Sequence, residues 1–161
     1  MTRSVKIYFF CALVIMFTSC GFKPMYKATE DNFVATAYSV DFQNDPGYVI
    51  KNKILESYSS SSSDSLHTIH LTINQKSTPL LTNTNGTVSK YRIEVTIYFE
   101  VHKSDSENII YSDITRGFSE YFVQTSEIQT DEKLKQAVEI ATHEASQMMS
   151  IKIKNNIFEP Q

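Results

Sequence analysis

The sequence predicts an α+β fold: a two-layer sandwich in which a four-stranded, mainly antiparallel sheet is covered on one face by two helices, in the order β-α-β-β-β-α. Three patterns predict it. From Lys90 to His102 apolar and polar residues alternate strictly, the period of a half-buried strand. Ile50, Ile54, Leu55 and Tyr58 form a single helical stripe. Near the C-terminus Leu134, Ala137, Val138, Ala141, Ala145, Met148 and Met149 form a longer one, small in its middle, so that this helix can lie close to a sheet.

Taken in order, Phe33 to Phe42 is the first strand, because Val34, Thr36, Tyr38, Val40 and Phe42 recur at period two. Asn44 or Asp45 can cap the following helix, with Pro46 in its first turn. Ser59 to Ser63 ends it, since serine hydroxyls compete for backbone hydrogen bonds. Leu66 to Gln75 is the second strand, with Ile69, Leu71 and Ile73 on one face. A turn-rich interval with Pro79, Asn83, Asn85 and Gly86 leads into the third. Ser104 to Asn108 makes the next turn. Ile109 to Gln124 is the fourth strand, with a bulge expected near Gly117. The final helix starts near Thr130, with Asp131 and Glu132 in its first turn, where negative charge suits the helix dipole.

Ahead of this domain, Arg3 and Lys6 precede an apolar run from Ile7 to Phe17 that spans only about 16 Å as a helix, too short for a bilayer core of ~30 Å. It reads as a signal peptide over residues 1–19. Phe17-Thr18-Ser19-Cys20 resembles a lipobox, with leucine replaced by Phe17. Cys20 is then the lipidated first residue of the mature chain, and three acyl chains at ~0.8 kcal/mol per buried methylene anchor it stably. Residues 20–32 form a tether and 33–161 the domain. Phe22, Met25 and Tyr26 in the tether either pack on the domain or contact bilayer or a membrane partner. Cleavage would remove Cys11, Arg3 and Lys6, leaving no cysteine pair for a disulfide and 13 of the 15 Lys+Arg against 18 Asp+Glu, a net charge of −5. No nucleic-acid partner is predicted.

Catalytic patterns are missing from the sequence. His67 and His70 fall on opposite faces of a strand and cannot share a metal. Four glycines include no phosphate loop and no nucleophile elbow. The expectation is no enzyme, no metal and no cofactor. Lys90, Arg92 and Arg116 lie on the polar sheet face. Either they balance Glu94, Glu100 and Glu120 on a solvated surface, or they form a cationic site for phosphorylated lipid.

Cys20-Gly21-Phe22-Lys23-Pro24-Met25-Tyr26 is similar to the C-G-F-x-P-L-Y start of the LPS-assembly lipoprotein LptE family, in its alphaproteobacterial form. Asn85-Gly86 before a long alternating strand, Arg116-Gly117-Phe118, Tyr121-Phe122 and the alanine-rich last helix extend the resemblance over the mature chain. It implies an α/β sandwich held as plug and assembly partner within an LptD-like outer-membrane β-barrel. Such a protein is anchored in the inner leaflet of the outer membrane through acylated Cys20, faces the periplasm, and helps insert lipopolysaccharide into the outer leaflet. It also implies lipopolysaccharide binding through basic residues, for which Lys90, Arg92 and Arg116 are candidates. Relatives carry a further basic position before the last helix; Glu127 to Asp131 offers none, and Lys133 is the nearby substitute. The alternative is a stand-alone periplasmic lipid-binding lipoprotein, and a third possibility is a hydrolase with an unrecognised site.

Overall fold

A computed structural model describes residues 38–58, 67–103 and 108–158, all within the compact unit Asp31–Gln161. The signal peptide, Cys20, the tether, residues 33–37 of the expected first strand, Leu66, the serine run and most of the 104–108 turn lie outside the described residues. The elements are β1 (Tyr38–Phe42), α1 (Tyr48–Tyr58), β2 (His67–Thr82), β3 (Val88–Lys103), β4 (Ile109–Phe122) and α2 (Glu127–Ile153), which ends in a π-helical turn, Lys154–Phe158. This is the order expected from the sequence. The sheet runs β1-β2-β3-β4. β1 and β2 are parallel and the other two pairings antiparallel.

Alternation in β3 buries Ile93, Val95, Ile97, Phe99 and Val101 beside Ile69, Leu71 and Ile73 of β2. Ile50, Ile54 and Tyr58 of α1, and Ala137, Val138, Ala141, Ala145, Met149 and Ile153 of α2, join the same core. Met148, expected in that stripe, is 48% exposed; it lies toward one flank of α2. Among the described residues no helix is long and apolar enough to cross a membrane.

Local chemistry departs from the sequence reading at several joints. Pro46 precedes α1 rather than entering it, and Gly47, at φ 84°, supplies the carbonyl that accepts the Lys51 N–H at 3.1 Å. A left-handed residue at this corner favours glycine. Neither expected cap is used as one. The Asn44 side chain pairs with the backbone of Ile73 in both directions, at 2.7 and 3.0 Å, prolonging the β1–β2 ladder by one rung, while Asp45 Oδ1 accepts the Gly47 N–H. α2 begins at Glu127, ahead of Thr130, whose hydroxyl accepts the Gln124 N–H at 2.9 Å.

β2 runs well past Gln75, to Thr82, with Pro79 inside it opposite Tyr91. Leu71 O and Ile73 N and O point toward β1, so period two aims the Pro79 nitrogen the same way. β1 ends at Phe42, opposite Leu71, and among the described residues no strand pairs with that stretch of edge, so proline costs no ladder bond there.

Gly117 is not a bulge. The irregularity in the β3–β4 pairing lies at Val101/His102. A Cβ on Gly117 would stand 1.9 Å from Ala141 O and 2.7 Å from Ala145 N; the glycine admits the backbone of α2. At the same contact α2 serves the outer edge of β4. Glu144 Oε2 accepts the Phe118 N–H at 2.7 Å, and Lys152 Nζ donates to Ile114 O at 3.0 Å and Asp113 Oδ2 at 2.7 Å.

Candidate functional site: the open face of the sheet

Both helices occupy one face, so the even-numbered residues of β3 and β4 form the other. The antiparallel register sets Arg92 opposite Glu120, Lys90 opposite Phe122, Glu94 opposite Phe118 and Thr96 opposite Arg116. Lys90, Arg92 and Arg116 therefore share one surface. Lys133 does not join them; it lies on α2, in the layer across the sheet, and its ammonium donates to Gln136 Oε1 at 3.1 Å.

Glu120 organises two of the three cations. Its Oε1 accepts from Arg92 Nη2 at 2.8 Å and Nε at 3.3 Å, and its Oε2 pairs with Lys90. The Lys90 ammonium is the larger cause, and the Arg92 guanidinium the next, that holds this carboxyl below the usual carboxylate range. Lys90 also sits 5.1 Å from the centre of the Phe122 ring, within range of the ring's negative face. Arg116 has a looser partner, Glu94 Oε1 at 3.6 Å from its Nε.

Apolar side chains share this face. Tyr98, Ile114, Phe118 and Phe122 are each at least 40% exposed, and Phe118 and Phe122 flank Glu120 along β4. Arg92, Phe118, Ser119 and Glu120 line a shallow depression of about 440 Å³. Guanidinium and ammonium donors already gripping two carboxylate oxygens suit phosphate oxygens equally. Adjacent rings offer an apolar floor. The chemistry fits an anion with a hydrophobic body.

A second feature of the face escaped the sequence reading. His70 and His102 meet edge to face at 4.5 Å between ring centres. His70 Nδ1 lies 3.0 Å from Asp41 Oδ2 and 2.8 Å from Gln43 Nε2, and His102 Nε2 lies 3.5 Å from Glu100 Oε2. His70 borders a 430 Å³ groove with Thr72, Tyr98, Glu100, Ser112 and Ile114. Only the β2–β3 register joins two histidines so far apart in sequence. His67 turns to the other side, against the Tyr38 ring at 5.5 Å, and burial lowers its pKa. Among the described residues no group of three or more metal-binding side chains is arranged to hold an ion. The apolar members of the face were also missed, although Phe118 and Phe122 have the same parity in β4 as Arg116 and Glu120.

No protein-family model matches the sequence, and no curated protein is significantly similar to it. Solved structures share its fold. A protein of Caulobacter crescentus bearing the name lipoprotein superposes with a TM-score of 0.66 over 81% of this chain and 97% of its own, at 8% identity. Rare lipoprotein B of Shewanella oneidensis gives 0.52, covering 74% and 98% at 12% identity. A minor lipoprotein of Acinetobacter baumannii gives 0.55, covering 76% and 93% at 11% identity. The α+β sandwich is thus one that lipoproteins of several Gram-negative bacteria adopt.

Proposed function

We propose that this protein is a non-catalytic lipoprotein, anchored through acylated Cys20 on the periplasmic side of the outer membrane, that partners an LptD-like β-barrel in delivering lipopolysaccharide to the outer leaflet. The fold shared with Gram-negative lipoproteins and the lipobox with its Cys20-to-Tyr26 continuation support the anchor and the family. One observation carries the lipid part: Lys90 and Arg92 converge on a single carboxylate between the exposed rings of Phe118 and Phe122. A phosphorylated, acylated ligand needs both kinds of contact, cationic donors for the phosphate and apolar surface for the remainder. In this reading Lys90, Arg92 and Arg116 contact the ligand directly, and Lys133 contributes least.

The test is purification of the tagged protein from outer membranes extracted in mild detergent. A stoichiometric complex with a large β-barrel is expected. Recovery of the lipoprotein bound to phosphorylated glycolipid, with no barrel, would replace this reading with that of a stand-alone lipid-binding lipoprotein.

A further inference from the structure

Glu120 does more on the open face than neutralise charge. It sits between Phe118 and Phe122 and uses both carboxylate oxygens on the two cations that face it from β3. Arg92 engages it through two nitrogens, both on Oε1, and the same donors suit the oxygens of a phosphate. Its side chain is 32% exposed, so solvent and solutes reach it. Arg116, by comparison, is held only at 3.6 Å by Glu94 and its side chain is 59% exposed. The two tightly held cations thus carry an anion supplied by the chain itself.

We propose that Glu120 is a built-in competitor: it occupies Lys90 and Arg92 in place of the phosphate of an amphiphilic ligand and is displaced when that ligand binds. This rests on the lipid reading above and adds the element that sets its threshold. A phosphate group carries about −1.5 to −2 charges and three acceptor oxygens, against one charge and two oxygens for the carboxylate, so it can outcompete Glu120 where a carboxylated amphiphile cannot. Both anions cannot stay on the same cations without like-charge repulsion. Once Glu120 swings away, Phe118 and Phe122 are left flanking the phosphate, ready for its apolar part. Selection for phosphorylated over carboxylated lipids follows from this exchange.

The experiment uses the full-length acylated protein in neutral detergent micelles and follows binding of a diphosphorylated glycolipid, its dephosphorylated counterpart and inorganic phosphate. Glu120→Gln keeps the size and hydrogen-bonding reach of the side chain and removes its charge. It is expected to bind the diphosphorylated lipid at least about threefold more tightly than the parent, since each exposed ion pair that need not be broken contributes a modest factor. Its binding should also weaken more steeply with salt, because fewer internal pairs are exchanged. Glu120→Asp, which retains the charge on a shorter side chain, should bind less tightly than Glu120→Gln and separates loss of charge from loss of fit if the glutamine variant folds poorly. Equal or weaker binding by Glu120→Gln, with the parent still binding, would overturn the competitor role and leave the lipid reading standing. Absence of any preference for the phosphorylated lipid in both proteins would overturn the two together. If inorganic phosphate binds as well as the lipid and Glu120→Gln tightens it equally, the exchange stands and its partner is a free phosphate.

Discussion

Asp113 shows how much one side chain can tie together. It accepts hydrogen bonds from Lys152 Nζ at 2.7 Å, the Tyr111 hydroxyl at 2.8 Å and the Ile114 N–H at 2.7 Å, joining the C-terminal end of α2 to β4. The Lys152 contact foremost, then the Ile114 N–H, keeps its carboxyl below the ordinary value of 3.8. A carboxylate whose folded pKa is depressed binds fewer protons than in the unfolded chain. Its contribution to stability is therefore complete above the unfolded pKa and is lost as the pH falls through the folded one. Asp113→Asn should lower the denaturant midpoint near neutral pH, and its midpoint should fall less than the parent's on acidification below about pH 4. Paired urea melts at the two pH values check this; parallel losses would refute it. Neither Asp113 nor Glu120 could be assigned these roles from the sequence. Lys152 and Arg92 are remote in the chain, and only the register of β3 with β4 and the seating of α2 bring them near.

Among the elements, β3 was legible because its strict alternation has one physical reading, a strand with one buried face. β2 was legible only to Gln75. Its second half holds Ser77, Thr78 and Pro79, residues typical of turns, and Pro79 is acceptable there because, among the described residues, no strand pairs with that edge. Gly117 illustrates the same gap. A glycine in a strand signals either a bulge or a close approach, and the choice depends on an element beginning ten residues later. Since the blocking atoms belong to the backbone of α2, the helix itself must move to admit a side chain. Gly117→Ala should destabilise the domain by about 1–3 kcal/mol or more, the range for overpacking a filled interior. Chemical denaturation measures it, and a variant as stable as the parent would show that α2 can shift freely. The helix stripe anticipated this closeness through its alanines, although not where the contact would fall.

For the whole molecule, polarity along the sheet matters. β1 starts opposite His67, which pairs with Lys103, whereas Arg92 and Glu120 lie toward the other end of β3. At ~3.3 Å per residue, Arg92 stands roughly 36 Å along the strand from Lys103, the row at which the described part of β1 begins. Cys20→Ser should release the protein from the membrane fraction or leave it as unprocessed precursor; a processed, fully membrane-bound variant would refute acylation as the anchor. The open face itself was legible as polar and basic, but its rings, its histidine pair and the grip of Glu120 depended on pairing across strands.

The rims of the sheet carry a consequence for how the purified domain behaves in a tube. Glu144 and Lys152 occupy backbone groups along the outer edge of β4 that a strand from another molecule would need. β1 and the Asn44 side chain do the same for β2 as far as Ile73. Among the described residues β1 pairs with no part of β2 from Gln75 to Thr82, and within that rim Pro79 withholds an N–H from any incoming chain.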